Sequence, residues 1–275
     1  NPLQLLAFVF LFTSFGFKMS VVPFHLWTAD VYEGAPVPVT AFLSVISKGA
    51  IAFVLVAVLY KIFPGFHQAW YPMLLVTSVM TMLIGNLFAL RQQSLKRFLA
   101  FSSVAQVGFI LLGISGQSAN SSSAVIYFIL IYLFSNLAAF GVVGLIAANT
   151  GKETIASYKG LYKRNPYLSW VMALALFSLA GIPPTAGFFG KFYLVASGAG
   201  KGTYAFIIVA ALNMIISLYY YLRVVRAMFM DSADEEIDAI PVSLITRIAF
   251  AICCAGILLL GFSGGLYDYI QHLVA

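Results

Sequence analysis

The sequence predicts an all-α polytopic membrane protein with about eight transmembrane helices, two of them discontinuous. Of its 275 residues, 62% are apolar and 9% are charged, against roughly 25% charged in a soluble domain. The apolar residues fall in runs of about 20, each long enough to cross a ~30 Å hydrocarbon core as helix. They lack the alternation of a membrane barrel, and a helix satisfies its own backbone groups in lipid. Proline inside two of the runs makes those helices discontinuous.

The first run, Leu3 to Trp27, holds Lys18 and, five residues on, Pro23. Val37 to Tyr60 carries Ser44, Ser47 and Lys48. Tyr71 to Leu90 is apolar, and Leu95 to Ser115 carries Ser102, Ser103 and Gln106. Ala124 to Asn149 contributes Ser135 and Asn136. In Leu168 to Ser197, Gly181-Ile182-Pro183-Pro184-Thr185 precedes Lys191. Thr203 to Met230 holds Asn213, and Leu244 to Phe262 closes the set.

These runs form a single membrane domain over 1–275. Residues 151–166 mix Lys, Tyr and Leu as an amphipathic linker at the interface would. Residues 231–243, with Asp234, Glu235, Glu236 and Asp238, read as a solvent-exposed loop. The chain opens on Asn1 without an initiator Met or the basic region of a signal peptide, so it is expected to be the C-terminal part of a longer protein.

The net charge of +6 is a topology signal rather than a nucleic-acid patch, because the basic residues cluster in alternate loops. One side carries Arg91, Lys96, Arg97, Lys152, Lys159, Lys163, Arg164, Arg223 and Arg226, and the other little beyond Lys61 and Lys201. The first side is therefore expected to face the cytoplasm, with both ends of the chain on the periplasmic side. Asp30 and Glu33 fall in the first cytoplasmic loop, where acids count for little in that rule. Adjacent Cys253 and Cys254 cannot supply the spaced thiolates of a cluster or zinc site.

Three lysines carry the chemistry. A lysine at the bilayer centre costs ~2.5 to 3.5 kcal/mol and is retained where it meets a polar cavity or partner. Lys48 lies about ten residues into its run, ~15 Å deep at 1.5 Å per residue, too far for its stem to snorkel. Lys18 and Lys191 are comparably deep, while Asp30, Glu33, Glu153 and Asp268 all fall at or beyond helix ends. Each lysine is then either a structural cation whose carboxylate lies upstream, or a partly neutral amine able to carry a proton. Desolvation disfavours the charged form of a buried amine, the condition a carrier requires.

The order of the breaks adds to this. Pro23 follows Lys18, whereas Pro183 and Pro184 precede Lys191, the mirror order of an inverted repeat, and such transporters build ion sites at broken helices. Ser44, Ser47, Ser102, Ser103, Gln106, Ser135, Asn136 and Asn213 extend a polar axis in the membrane plane, each taken alone being ordinary helix-packing polarity. His25, beside Trp27, is either interfacial or a relay. His67 and His272 read as solvent residues.

Gly16-Phe17-Lys18, Pro23-Phe24-His25-Leu26-Trp27 and Asp30-Val31-Tyr32-Glu33-Gly34-Ala35-Pro36 together resemble the antiporter-like subunits of respiratory complex I. Ser47-Lys48, Leu95-Lys96-Arg97-Phe98-Leu99-Ala100-Phe101-Ser102-Ser103, and Gly181-Ile182-Pro183-Pro184 leading to Gly187-Phe188-Phe189-Gly190-Lys191-Phe192 extend that resemblance over nearly the whole chain. Val31 to Pro36 and Tyr219-Tyr220-Tyr221-Leu222-Arg223 resemble one bacterial branch of the family.

The resemblance implies an inverted-repeat fold with these helices as the last eight of fourteen. It implies a proton-translocating subunit of a redox-driven NADH–quinone oxidoreductase in a bacterial inner membrane, through which no electrons pass. NADH, FMN, iron–sulfur clusters and quinone belong to partner subunits. The other partners are further membrane subunits, upstream helices of this protein and the lipid bilayer. Lys18 pairs with a glutamate on an upstream helix, Lys48 is the central relay, and Lys191 leads to the exit. Gln106 departs from the pattern, since relatives often carry His there, which argues against titration at that position. The competing readings are a subunit of a multisubunit sodium/proton antiporter and a membrane scaffold with inert lysines.

Overall fold

A computed structural model describes residues 2–116, 119–198, 204–232, 237–262 and 264–274. Lys201, Asp234, Glu235 and Glu236, assigned to loops above, lie outside those residues. The described chain is helical throughout apart from turns and one isolated antiparallel bridge, Ser94 to Thr154.

The first run divides into α1 (Pro2–Met19) and α2 (Leu26–Gly34). Ser20 ends α1 in a left-handed conformation at φ 66°, with Val21 N–H donating to Gly16 O at 2.8 Å and Ser20 N–H to Phe17 O at 3.1 Å. Those two bonds around a left-handed residue make a Schellman end. Pro23, lacking an N–H, bars the helix from resuming at once. The helix continues past Trp27 as α2, so Asp30 and Glu33 sit on a helix rather than in the expected loop.

Next come α3 (Val37–Ile62), α4 (His67–Arg91), α5 (Leu95–Ser115) and α6 (Ala119–Thr150). A π turn, Leu43–Ser47, interrupts α3 immediately before Lys48, and a second, Val58–Ile62, ends it. Ser94 caps α5 by accepting from Arg97 N–H at 3.5 Å. Apart from Arg97, every residue of α5 is buried, as expected of a helix that is apolar or small-polar all round. It therefore forms the centre of the bundle. Its antiparallel neighbour α4 approaches closely, with Gly85 directly against the Ala105 backbone.

Beyond α6, a turn at Ala156–Tyr158 and the short α7 (Leu161–Arg164) form the linker. Leu95 N–H donates to Glu153 O and Ile155 N–H to Gln93 O, both at 2.9 Å, which ties the linker to the start of α5. The second broken helix is α8 (Pro166–Ala180) and α9 (Ala186–Gly198). Its first half also ends in a Schellman motif: Gly181 has φ 85°, Ile182 N–H donates to Phe177 O and Gly181 N–H to Ser178 O, each at 3.0 Å. Gly187 then passes directly over the Ser178 carbonyl, where no larger side chain fits.

The remaining helices are α10 (Tyr204–Phe229), α11 (Leu244–Phe262) and α12 (Gly265–Val274). The helix α12 is not among those expected from the apolar runs. It docks through Tyr267, stacked on Tyr193 with ring centroids 3.8 Å apart, and through Gln271, whose amide donates to Asn120 at 3.1 Å.

The expectation of eight spans needs correction. Among the described residues six helices are long and apolar enough to cross a bilayer: Val37–Ile62, Pro64–Arg91, Leu95–Ser115, Asn120–Thr150, Tyr204–Phe229 and Leu244–Phe262. The other two runs are the discontinuous helices, whose apolar halves Leu3–Met19 and Pro166–Ala180 are shorter pieces. Apolar length in the sequence counted across the breaks.

The basic residues assigned to one side do gather there with acids. Lys96 pairs with Glu153 at 2.8 Å, Arg97 with Asp30 at 2.7 Å and Glu33 at 2.9 Å, and Arg226 with Asp231 at 3.4 Å. Arg223 donates to Leu90 O and Gln92 O, both at 2.8 Å.

Candidate functional site

The π turn in α3 delivers Lys48 into the bundle, where it is 1% exposed. Its ammonium donates to Ser103 Oγ on α5 at 2.7 Å and lies 5.4 Å from the centre of the Tyr32 ring on α2. Ser103 donates its own hydrogen bond to Ala100 O at 2.8 Å, leaving a lone pair for the lysine. One turn back on α3, Ser44 Oγ is 3.3 Å from the Tyr132 hydroxyl of α6 and donates to Asn136 Oδ1 at 3.4 Å.

Lys191, also 1% exposed, is held differently. The Schellman end of α8 uses the carbonyls of Phe177 and Ser178, leaving the next two without helical donors. Lys191 supplies them, folding back from α9 to donate to Leu179 O at 2.7 Å and Ala180 O at 3.2 Å. The negative end of the α8 dipole thus faces a cation.

Gln106 of α5 joins this group by donating to the same Leu179 O at 3.1 Å and to the Tyr221 hydroxyl at 3.2 Å. Tyr221 in turn pairs with Ser102. A cavity of about 10 Å³ lies between Gln106, Tyr132, Ser135, Ser178, Leu179 and Lys191, the size that admits a single water. Gln106 Oε1 is buried without a hydrogen-bond partner among the described residues, so its acceptor is available there. Tyr132 therefore belongs to both groups, bonded to Ser44 on the Lys48 side and lining the cavity on the Lys191 side.

Hydroxyls that both donate and accept can pass a proton on, whereas an amide donates and accepts without readily releasing one. Ser103, Tyr132 and Tyr221 suit transfer. Gln106 suits orientation.

Other residues singled out from the sequence fall outside this cluster or at its edge. Lys18, in the last turn of α1, is exposed on the face of the described chain, and no carboxylate of the described residues pairs with it. His25 is 5% exposed at the start of α2, facing Phe88 with ring centroids 6.1 Å apart. Both its ring nitrogens are buried without partners among the described residues. Ser47 is half-buried in the π turn. Asn213 joins Asn86 rather than the lysines, accepting from its amide at 2.7 Å, while Tyr220 donates to Asn86 at 2.9 Å. Pro23, Pro183 and Pro184 all lie in the breaks.

Tyr32, Tyr132 and Tyr221 were not anticipated. A buried tyrosine usually finds a polar partner, but with 15 tyrosines in the chain their spacing alone did not single these out.

Two broken helices, one capped by its own lysine, and polar side chains packed around a central helix define a polytopic membrane protein of the broken-helix class. Residues 1–217 match the family described as NADH:quinone oxidoreductase/Mrp antiporter, TM, and the chain belongs to that family. It is 50% identical over 275 residues to NADH-quinone oxidoreductase subunit N of Azobacteroides pseudotrichonymphae genomovar. CFP2, covering 99% of this chain and 57% of that protein. The chain thus spans little more than half the length of that relative.

Among solved structures, it is similar to a chain of respiratory complex I from Thermus thermophilus with bound aureothin, at 32% identity and a TM-score of 0.81, covering 95% of this chain and 57% of that one. A chain of the Mrp complex from Dietzia sp. DQ12-45-1b matches at 25% identity and a TM-score of 0.85, covering 96% and 57%.

Proposed function

We propose that this chain is the relay and exit part of a proton-translocating subunit of an NADH–quinone oxidoreductase. The observation that carries the reading is the burial of Lys48 and Lys191, both 1% exposed, in neighbouring polar groups: Lys48 donates to Ser103, Lys191 and Gln106 share the Leu179 carbonyl, and Tyr132, bonded to Ser44, lines the one-water cavity beside Lys191. Quinone reduction in other subunits shifts charge along this axis, and no electron passes through the chain. Moving one charge against 100 mV costs ~2.3 kcal/mol, the equivalent of under two pKa units in any one carrier, so switching of a lysine supplies enough energy.

In this reading the two broken helices complete eight crossings in an inverted repeat. Lys18, on the uncovered face of α1, meets a glutamate on an upstream helix of the same protein. His25 adds a titratable ring at the first break, Ser47 and Asn213 border the hydrated route, and Lys191 leads to the exit. Residues 151–166 lie along the interface and 231–243 face solvent. The protein sits in a bacterial inner membrane, with the basic end of the bundle in the cytoplasm and both chain ends in the periplasm.

The test uses the full-length protein in its assembled complex. Lys48→Met is expected to abolish NADH-driven proton uptake by membrane vesicles at a normal level of complex, and unchanged uptake would return the lysines to an inert scaffold. The similarity to an Mrp complex gives the alternative, a sodium/proton antiporter subunit. Copurification of NADH- and quinone-reactive subunits supports the first reading. Their absence, with transport that depends on sodium rather than NADH, supports the second.

A further inference from the structure

The second half of the first broken helix is short, and neighbouring segments hold its two ends: Trp27 Nε1–H donates to Phe17 O at 3.0 Å, Thr28 to Ser20 Oγ at 2.6 Å, and Thr40 to Tyr32 O at 3.2 Å. α2 has 9 residues, about 13 Å of helix. The break precedes it, and Ala35-Pro36 separates it from α3, so no helical continuity fixes its position at either end. Its register must come from side chains.

Two faces of α2 do opposite jobs. One carries Asp30 and Glu33, and a single guanidinium nitrogen of Arg97 reaches both, at 2.7 Å and 2.9 Å. The other carries Tyr32, fully buried, whose ring lies 5.4 Å from Lys48 Nζ and edge-on to Phe140 at 6.4 Å. Lys96 adds a contact to the end of α2 through Glu33 O at 3.4 Å. Arg97 and Ser103 both belong to α5, six residues or about 9 Å apart. The helix that binds the Lys48 ammonium thus also grips the helix that covers it.

We infer that Arg97 is a positioning residue for Lys48, acting through α2: its grip on Asp30 and Glu33 keeps the Tyr32 ring against the lysine. This rests on the relay reading of Lys48. Arg97 itself touches no member of the relay. Its contribution is to add to the contacts that keep α2 over the Lys48 site. The partly exposed pair of contacts should be worth ~1 kcal/mol, about a five-fold change in the ratio of the closed to the open arrangement at 1.36 kcal/mol per decade.

The experiment measures NADH-driven proton uptake by vesicles carrying the full complex, normalised to the amount assembled on native gels. Arg97→Gln should lower uptake by up to about five-fold, and Arg97→Lys should restore most of it. Tyr32→Leu should lower uptake similarly, and Arg97→Gln with Tyr32→Leu should fall no further than the single variants, because both remove the same contact. Multiplying losses in the double variant would overturn the inference, as would wild-type uptake in Arg97→Gln. Should Arg97→Gln fail to assemble, Asp30→Asn with Glu33→Gln severs the same contact from α2 and carries the same expectations. Lys48→Met run in parallel separates the two claims. If it has no effect the relay reading fails, and if it abolishes uptake while Arg97→Gln matches wild type, only the positioning role fails.

Discussion

Lys48 and Lys191 are equally buried, yet their ammonium groups face different acceptors. Lys48 meets a hydroxyl that can rotate and return a proton, whereas Lys191 meets two carbonyls that only accept. The first arrangement suits through-traffic and the second suits a cation held until displaced. Gln106 shares the Leu179 carbonyl with Lys191 and bonds Tyr221. Gln106→Leu removes the donor to both Leu179 O and Tyr221 and should cut proton uptake several-fold, whereas Gln106→His, which keeps a donor and adds a titratable ring, should retain it. Uptake assayed in vesicles for the two variants side by side checks this.

Away from the lysines, Asn165 is the most heavily used polar side chain at the basic end. It donates to Ile237 O at 3.2 Å and Asp238 O at 3.0 Å and accepts from Ile240 N–H at 2.8 Å. Asn165→Ala leaves these groups unpaired and should cost about 2 kcal/mol, seen as a lower thermal unfolding midpoint in detergent with the helical content unchanged.

Among the elements, the broken helices were the most legible and the most misjudged. Proline marked both interruptions, and the structure breaks there. What proline could not mark is where each first half ends. α1 stops at Met19 and α8 at Ala180 because Ser20 and Gly181 turn left-handed, before any proline is reached. The restart of the chain as α2, the π turn in α3 and the docking of α12 also escaped the sequence, since each depends on what packs against a short segment. The second break can be tested directly. Gly187→Leu sets a side chain against the Ser178 carbonyl and should destabilise by about 1 to 3 kcal/mol, lowering the unfolding midpoint. Gly34→Ala, with nothing within 4 Å of the added methyl, should leave it unchanged.

For the molecule as a whole, burial follows membrane logic. α5 is enclosed on all sides, while few residues of α10 and α11 are fully buried, as in helices facing lipid or partners. One end is closed by ion pairs and backbone bonds among the basic residues, and the proposed orientation places it in the cytoplasm. With Lys159→Cys and Lys61→Cys made separately in an otherwise cysteine-free chain, a membrane-impermeant thiol reagent should label Lys61→Cys in intact cells. Lys159→Cys should react only after the membrane is opened, and the reverse pattern would invert the topology.

Composition and run length fixed the membrane as solvent and helix as the only element, because 62% apolar residues in runs of about 20 have no other stable use. The sequence also picked out Lys18, Lys48 and Lys191, since a buried lysine is too costly to be incidental. It could not say which of them would meet which polar groups. Tertiary packing decided that Lys48 donates to Ser103 and Lys191 to the end of α8 while Lys18 is left on an open face, that Asn213 pairs with Asn86, and that Arg97 reaches back to α2. The physical reason is that the depth of a residue is set by its own helix, whereas its partners are set by the rotation and approach of helices far away in the chain.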